Sequence, residues 1–460
     1  MARYYQVKRI VPYIKTPQTL LVLSFALVIL VGACLLMLPY SQQGGRVGWV
    51  DALFTATSAV CVTGLIVVDT ATAYTRFGQG VILLLIQVGG LGIMTFAALT
   101  FLLLGRRLSL ASQAALHDTF FQRDLGHEFK TRFLQILILT FSLEFLGGLL
   151  IFLNLIWRQT QPGEALFSAI FHAISAFCNA GFSIYTENLV GLRDSPIITG
   201  TVMLLIVFGG LGHTVLHELW HFGKNRLVKG GQAGIPGHLT THTWVVLRVT
   251  GSLILLGWVG LLIFGLTAHE TTWGLKCSAA LFQSITSRTA GFNTVDIGLL
   301  PLGSLLLLTV LMFIGGSPGS CAGGIKTTAL AISAAELRAR LRGEPQVKLL
   351  DRGVPTDIVW RTAILLRLAL IWNLVGFLLL LFTEGGRSNL GLHDVIFEQI
   401  SAFGTVGLST GVTDKLSLAG KLWIIATMYV GRLGPLTLMM WVLPIKQVRV
   451  GYPEAKVMIG

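Results

Sequence analysis

Long apolar runs alternate with short polar segments along the whole chain. The runs are roughly 20 residues long, enough to cross about 30 Å of hydrocarbon as helices. They begin near Thr19, Phe77, Phe129, Ile197, Thr243, Leu300, Trp360 and Leu418. The first run looks too long for a secretory signal, so we expect it to stay as a span. The pattern predicts an all-α integral membrane protein with eight transmembrane spans.

Between successive pairs of spans lies a shorter segment that is apolar at first and polar at its end. Four such segments align on a glycine without gaps: DALFTATSAVCVTG (51–64), SAIFHAISAFCNAG (168–181), SAALFQSITSRTAG (278–291) and DVIFEQISAFGTVG (394–407). Each opens with Asp or Ser, which cap helices well, and continues with about three helical turns. The third is the least regular, because Phe282 is shifted by one position. We interpret the segments as re-entrant half-helices, so four tandem repeats of helix, pore loop and helix surround one pseudo-fourfold pore.

Each half-helix leads into small residues that end in a glycine. Non-helical backbone inside a membrane must face protein or water, because an unpaired carbonyl in lipid costs several kcal/mol. Four loops meeting at one axis would surround a monovalent cation with carbonyl oxygens, and glycine permits the positive φ that turns carbonyls towards the axis. Glycine runs also let helices pack closely, but that alternative does not explain the fourfold register. The predicted ion-binding filter residues are Cys61, Val62, Thr63, Gly64, Cys178, Asn179, Ala180, Gly181, Arg288, Thr289, Ala290, Gly291, Gly404, Thr405, Val406 and Gly407.

Side chains around the loops are predicted to support them. A bulky apolar residue follows each glycine and is expected to wedge the loop in place: Leu65, Phe182, Phe292 and Leu408. His172 and Glu398 lie inside the second and fourth half-helices. They either face the pore or brace the filter from behind, and bracing is the preferred interpretation.

A second repeated signature follows each filter. It reads GGLG at residues 89–92 and 209–212, GRLG at residues 431–434, and GGSPGSCAGGIKTT from residue 315. Pro318 and five glycines at residues 315–324 are incompatible with a continuous helix. The span must break there, either as a kink relieved by neighbouring helices or as a loop that obstructs and clears the pore, and its length favours the loop. The predicted gate residues are Gly315, Gly316, Ser317, Pro318, Gly319, Ser320, Cys321, Ala322, Gly323, Gly324, Lys326 and Arg432.

Arg432 stands where the other copies of the signature have glycine, inside an apolar span. An arginine there costs about 2.5 to 3.5 kcal/mol on insertion scales, so its surroundings must offset that cost. Facing a water-filled pore below the filter, it would raise a barrier to cations and anchor the carbonyls of the gate loop. The alternative is a structural arginine paired with a carboxylate or with carbonyls between helices.

Composition supports the membrane class and sets the orientation. The chain has 460 residues, 53% hydrophobic and only 12% charged, with a mean hydropathy of +0.75, which excludes a water-soluble protein. The net charge of +13 is concentrated in every second loop, so it indicates topology rather than a nucleic-acid partner. By the positive-inside rule, the chain is a multi-pass cell-membrane protein with both termini in the cytoplasm.

Other chemistry finds little support. The five cysteines are scattered singly inside or beside apolar segments, which predicts neither a disulfide nor a transition-metal site. His213 and His217 are half a metal site at most. The HELWH stretch at residues 217–221 has the letters of the HExxH zinc-protease pattern, with Glu218 as a candidate base, but no further ligand stands out. The GxxxxGK[ST] phosphate-binding pattern fails because Ile325 separates Gly324 from Lys326. No catalytic residue and no bound cofactor are predicted, so the chain is not expected to be an enzyme.

One rival transport mechanism remains open. A secondary cation transporter that works by alternating access also uses broken helices at the membrane midplane. Its usual signs are inverted repeats and buried acids. Here the repeats share one orientation and none of the predicted filter residues is a carboxylate, which favours a pore.

The predicted organisation follows the repeats. Residues 1–18 form a cytoplasmic tail, 19–107 the first pore repeat, 108–228 the second, 229–342 the third with its gate loop at 315–324, 343–443 the fourth, and 444–460 a second cytoplasmic tail.

Taken together, these motifs resemble the Trk, Ktr and HKT superfamily of potassium transporters over nearly the whole chain. The resemblance includes VCVTGL, CNAGF, RTAGF and TVGL at the four filters, the stretch from Gly315, GRLGPLTL around Arg432, and the tail YPEAKVMIG. It implies one selectivity filter per chain. Gly64 indicates potassium selectivity, because a plant branch of the superfamily has at this position a serine that goes with sodium selectivity. It further implies sodium-stimulated uptake, a homodimer with Gly460 at the dimer contact, and a cytosolic nucleotide-binding ring as regulatory partner.

Overall fold

The computed structural model describes residues 17–44, 47–91, 129–227, 238–266, 272–386, 390–435 and 437. Helices dominate this part of the chain. In order they are α1 Pro17–Leu36, α2 Trp49–Val60, α3 Thr70–Ala73, α4 Arg76–Gly90, α5 Phe129–Trp157, α6 Pro162–Phe177, α7 Pro196–Leu211, α8 His213–Leu227, α9 Thr241–Phe264, α10 Trp273–Thr286, α11 Leu302–Phe313, α12 Thr327–Leu341, α13 Thr356–Glu384, α14 Leu392–Gly404 and α15 Leu418–Leu433. One antiparallel pair, β1 Lys348–Leu349 with β2 Arg352–Gly353, departs from the predicted all-α class.

Every predicted span corresponds to a helix that begins within a few residues of the predicted start. These helices are α1, α4, α5, α7, α9, α11, α13 and α15. Three contain a stretch long and apolar enough to cross a bilayer alone, namely Leu134–Trp157, Thr241–Phe264 and Thr356–Glu384. Helices α7 and α8 meet the same test only as a pair, and they are bent by 105°. Eight crossings therefore stay a prediction, while a chain with several membrane-spanning helices is confirmed.

The bend between α7 and α8 has a local cause. Gly212 ends α7 with a φ of +83°. A Cβ at this position would lie 2.8 Å from the Ser317 hydroxyl and 3.1 Å from the carbonyl oxygen of Gly319. Only glycine combines this conformation with so close a neighbour. The corner is thus shaped to receive the segment that contains Ser317 and Gly319.

The four short helices α2, α6, α10 and α14 lie in the interior. Each completely buries the phenylalanine of its repeated segment, Phe54, Phe171, Phe282 or Phe397, and α14 buries Phe403 as well. The longer helices expose many large apolar side chains, with Trp157 82% and Phe382 91% accessible. An apolar exterior of this kind is stable in hydrocarbon rather than in water.

The prediction that Asp51, Ser168, Ser278 and Asp394 cap the half-helices is wrong. All four short helices begin earlier in the chain, so Ser168 and Ser278 lie well inside α6 and α10. Asp51 and Asp394 lie in the first turns of α2 and α14, where the Asp394 carboxylate accepts a hydrogen bond from the Gly391 amide at 3.0 Å. Upstream residues compatible with a helix start, including a proline at the first position of α6, extend the helices.

The gap-free alignment of the third copy is also wrong. Phe282 is the buried phenylalanine of α10, although it lies one residue nearer its glycine than the phenylalanines of the other copies. The Thr286 hydroxyl donates to the Phe292 carbonyl at 2.7 Å, as the Ser175 hydroxyl does to the Phe182 carbonyl at 2.8 Å. Both landmarks are shifted by one position, so the third loop is one residue shorter.

Several predicted features lie outside the described residues. They include residues 1–16 of the first tail, Gly92 of the first GGLG signature, Gly460, several of the basic residues assigned to the cytoplasm, and the domain boundaries after residues 107, 228 and 443.

Candidate filter and gate

The four glycine loops, residues 61–64, 178–181, 288–291 and 404–407, share one backbone conformation. Their last residues have φ values of +89°, +69°, +76° and +91° at Gly64, Gly181, Gly291 and Gly407. Two positions earlier, the φ values are +56°, +59°, +72° and +51° at Val62, Asn179, Thr289 and Thr405. No positive φ occurs at the position between them. This alternation lets successive peptide groups face the same side of a loop, as ion-binding backbone requires.

The glycine loops close into a ring. A Cβ built on each glycine would meet a backbone carbonyl oxygen of the next loop in chain order, and the fourth glycine would meet the first loop. The pairs are Gly64 with Ala180, Gly181 with Ala290, Gly291 with Val406, and Gly407 with Thr63. A side chain at any of the four positions would therefore overlap a neighbouring carbonyl. Both their φ values and their surroundings favour glycine.

The short helices hold the loops in this shape. The Ser58 hydroxyl accepts a hydrogen bond from the Gly64 amide at 3.0 Å, and the Ser401 hydroxyl accepts one from the Gly407 amide at 3.1 Å. Leu65, Phe182, Phe292 and Leu408, the predicted wedges after the glycines, are all buried.

Two buried hydroxyl oxygens in the loops lack protein partners. Thr63 and Thr405 are completely inaccessible, and no described group makes a hydrogen bond to either Oγ1 atom. Burying a hydroxyl without a partner costs about 1 to 3 kcal/mol.

The predicted break in the span that begins near Leu300 is confirmed, since α11 ends at Phe313 and α12 begins at Thr327. We call residues 315–324 the gate segment. Its two ends are tied together: the Gly315 amide donates to the Ile325 carbonyl at 2.8 Å, and the Thr327 amide to the Gly316 carbonyl at 3.0 Å. The intervening residues consequently project from the helix pair as a closed loop.

The gate segment packs directly against the third and fourth glycine loops. A Cβ on Gly323 would lie 2.8 Å from Cγ2 of Thr405, and one on Gly315 would lie 3.2 Å from Cγ2 of Thr289. Gly324 faces Gly404 in the same way, at 3.3 Å from its Cα atom. The segment therefore lies in contact with the loops that it was predicted to obstruct.

The corner between α7 and α8 holds the other side of the gate segment. The Ser317 amide donates to the Gly210 carbonyl at 3.0 Å, and the Cys321 amide to the Gly209 carbonyl at 3.2 Å. The carbonyl oxygen of Gly319 lies 2.8 Å from Nδ1 of His213. Movement of α8 would therefore act on the tip of the segment.

Two buried arginines contact carbonyls of the gate segment. Arg432 donates to the carbonyls of Cys321 and Gly89, which joins the fourth, third and first repeats. Arg288 donates to the carbonyls of Gly315 at 3.2 Å and Thr250 at 3.3 Å. Neither guanidinium has a carboxylate partner in the described part of the chain. Arg288 stays a predicted filter residue through its backbone, while its side chain reaches the gate segment and α9.

The second signature has a packing role. A Cβ on Gly89, Gly209 or Gly431 would overlap the carbonyl oxygen of Val60, Phe177 or Phe403, respectively. Each carbonyl lies in the last turns of the short helix of the same repeat. The first glycine of each GGLG or GRLG signature thus lets the following helix approach the end of its own short helix.

Buried polar residues brace the loops from behind. His172 lies 3.0 Å from the Ser183 hydroxyl through Nε2 and stacks on Tyr185, which fits the bracing interpretation. Glu398 accepts hydrogen bonds from the hydroxyls of Ser409 and Thr413.

Sequence reasoning missed Glu144, which is only 5% accessible in the middle of α5. Its carboxylate accepts a hydrogen bond from Gln87 Nε2 at 3.1 Å and lies 3.9 Å from the Cys178 sulfur. The only signal was an acidic residue within an apolar run.

The protease-like HELWH stretch has other partners. The Glu218 carboxylate accepts hydrogen bonds from the hydroxyls of Thr240, at 2.8 Å, and Thr243. His217 and His221 face each other with 3.1 Å between their Nε2 atoms. Within the described ranges, no three His, Cys, Asp or Glu side chains are placed to hold a metal ion.

Comparison with known proteins identifies related sequences. The family profile of the TrkH cation transport proteins matches residues 5–445. The chain is 37% identical to the Ktr system potassium uptake protein B of Bacillus subtilis over 97% of both chains. It is 34% identical to the potassium/sodium uptake protein NtpJ of Enterococcus hirae, again over 97% of both.

A solved structure has the same fold. The potassium transporter TrkH from Vibrio parahaemolyticus superimposes with a TM-score of 0.68, over 92% of this chain and 84% of the other. The two sequences are 21% identical. The match extends over nearly the whole helical architecture.

Proposed function

Because this chain belongs to the TrkH family of cation transport proteins, we propose that it takes up potassium across the cell membrane through a filter made by the glycine loops. Cation transport, and not an enzymatic reaction, is the activity of the family. Relatives that match nearly end to end are named potassium uptake proteins. The observation that carries the proposal is the closed ring of four left-handed glycines, each packed on a carbonyl of the next loop.

In this proposal the ring selects the cation by replacing its hydration shell. A potassium ion at the centre sheds water and is coordinated by backbone carbonyls of the four loops. The hydrogen bonds that the Gly64 and Gly407 amides donate to the Ser58 and Ser401 hydroxyls keep the loops from collapsing around a smaller ion.

The gate segment closes the path below the filter. Its contacts with Thr289 and Thr405 put it beside two of the four loops, and its hydrogen bonds to Arg288 and Arg432 stabilise that position. Opening then requires the loss of hydrogen bonds to charged groups, each contributing about 1.5 to 3 kcal/mol. A gate held in this way favours the closed state until an interaction from outside the chain offsets the free energy of the lost hydrogen bonds.

The remaining features of the proposal concern assembly and control. The chain crosses the membrane eight times with both termini in the cytoplasm, and it forms a homodimer with Gly460 at the contact. Uptake is stimulated by sodium and regulated by a cytosolic nucleotide-binding ring. The word "system" in the names of the Ktr relatives supports the existence of a further component.

The test is rubidium tracer uptake in potassium-starved cells that lack their own uptake systems. It compares the unmodified chain with Gly291→Ser and with a variant lacking residues 317–320, with and without sodium. The matched control is Gly251→Ala, because a Cβ at Gly251 meets nothing within 4 Å.

We expect Gly291→Ser to lose uptake or to admit sodium, because its Cβ would overlap the Val406 carbonyl. The shortened gate segment should make the protein leaky. If neither variant changes uptake, these glycines serve only close packing, and the proposal is overturned.

A further inference from the structure

A turn after the second glycine loop reaches back to that loop. Asn188 donates a hydrogen bond from its side-chain Nδ2 atom to the carbonyl oxygen of Gly181, with 3.3 Å between the two atoms. Gly181 is the last residue of the second glycine loop, and Asn188 lies 7 positions further along the chain. The contact therefore joins the filter backbone to a side chain that is not among the predicted filter residues.

The backbone of Asn188 is shaped for this contact. Its φ is +54°, in the left-handed region that asparagine enters more readily than most other residues with a side chain. Its amide donates to the Tyr185 carbonyl at 3.0 Å, which closes a turn. Asparagine thus serves twice at this position, since it accepts the left-handed backbone and also carries the N–H donor. Glycine would retain only the first of these properties.

The next residue ties the same turn to the third glycine loop. The Leu189 amide donates to the carbonyl oxygen of Asn293 at 3.1 Å, and Asn293 closely follows Gly291 in the chain. The Leu189 side chain is completely buried in an apolar cluster that also contains Phe292. The turn is consequently fixed by the third repeat, which gives Asn188 a defined position from which to hold the second loop.

The neighbouring peptide group of the second loop is fixed as well. The Ser175 hydroxyl donates to the Phe182 carbonyl at 2.8 Å, so the carbonyls of Gly181 and Phe182 are both held by side chains. The first and fourth loops are held through the amides of Gly64 and Gly407. The end of the second loop is thus held through its carbonyls, and the ends of the first and fourth through their amides.

We propose that Asn188 is a positioning residue of the filter, which fixes the peptide group between Gly181 and Phe182 and thereby increases the discrimination of potassium from sodium. The inference rests on the filter proposed above. A carbonyl that is free to rotate can approach a sodium ion, which is smaller than potassium and needs shorter distances to oxygen. A carbonyl held by Asn188 cannot close on the smaller ion, whereas the distances suited to potassium remain available.

The experiment uses the full chain in proteoliposomes and measures tracer rubidium flux and tracer sodium flux separately. Asn188→Gly removes the side-chain donor and keeps the left-handed backbone. The matched control is Gln159→Gly, because Gln159 also has a positive φ, +63°, and is an exposed residue of the turn between α5 and α6. The rubidium KM, the maximal rate and the melting temperature are recorded for each variant.

We expect Asn188→Gly to lower the ratio of rubidium flux to sodium flux about fivefold, the factor that corresponds to about 1 kcal/mol for one hydrogen bond. Gln159→Gly makes the same backbone change outside the glycine loops, so its ratio should stay within about twofold of that of the unmodified chain. A purely structural role of Asn188 would change the melting temperature and the maximal rate but not the ratio.

An unchanged flux ratio in Asn188→Gly, or an equal change in Gln159→Gly, would overturn the positioning role. The filter itself is tested in parallel by Gly291→Ser. If Gly291→Ser alters uptake or the ratio and Asn188→Gly does not, the filter stands and only the role of Asn188 is refuted. If neither variant has an effect, the proposed filter fails and the inference fails with it.

Discussion

Replacing Gly181 by alanine tests the ring most sharply among single substitutions. The φ of Gly181 is +69°, and its Cβ would lie 2.7 Å from the Ala290 carbonyl oxygen and 2.8 Å from the Cα atom of Gly291. A left-handed alanine costs about 1 to 2 kcal/mol. Overpacking adds about 1 to 3 kcal/mol, because the neighbours are backbone atoms that cannot rotate away. The total cost is about 2 to 5 kcal/mol.

Part of this cost falls on the cation-bound ring. If only about 1.4 kcal/mol of it weakens cation binding, rubidium occupancy changes about tenfold. We expect Gly181→Ala to lower rubidium uptake by about tenfold or more and to weaken its discrimination against sodium. The assay is tracer uptake at equal expression, with sodium as the competing ion.

The matched control is Gly411→Ala. Gly411 also has a positive φ, +85°, but a Cβ there meets nothing within 4 Å. It carries the same backbone strain without touching another loop, so its uptake should stay within about twofold of the unmodified chain. Equal effects of Gly181→Ala and Gly411→Ala would refute the argument from ring geometry.

Three further substitutions separate gate, filter support and transport mechanism. Arg432→Gln removes a charged donor from the Cys321 carbonyl, so rubidium efflux from proteoliposomes should rise about tenfold for a loss of roughly 1.5 kcal/mol; unchanged efflux would argue against anchoring. Glu398→Ala leaves the hydroxyls of Ser409 and Thr413 without their acceptor, so the melting temperature in detergent should fall by the equivalent of about 1 to 3 kcal/mol. Glu398→Gln should lower it less, and equal melting temperatures of the two variants would contradict this. Glu144→Gln should keep rubidium uptake within about twofold, because a pore needs no carboxylate, whereas abolished uptake would favour alternating access.

The sequence alone predicted the features that depend on local pattern. Helix starts such as those at Phe129 and Leu418 agree with the predicted spans, because long apolar runs have a strong signal. The break after Phe313 was equally predictable, since proline and glycine exclude a helix. The positive φ of the four glycines was also predicted, because a glycine occurs at the same position of each repeat and glycine permits this conformation.

What failed depended on contacts between distant residues. The sequence made no prediction for the Arg288 side chain, because its partners, the carbonyls of Thr250 and Gly315, are 38 and 27 positions away. The one-position shift of Phe282 is visible in the sequence. That it marks a gap in the alignment follows only from the hydrogen bond between the Thr286 hydroxyl and the Phe292 carbonyl, which is shifted in the same way. The short helices began earlier than predicted, because a capping residue inside a helix looks the same in sequence as one at its start.

The most direct test of the central claim is to locate rubidium by anomalous diffraction in crystals of this chain. We predict an anomalous peak on the axis between Gly64, Gly181, Gly291 and Gly407, within coordination distance of the carbonyl oxygens of their loops. The peak should be lost in crystals of Gly181→Ala. A rubidium site elsewhere in the helix bundle, with none between the four loops, would contradict the account.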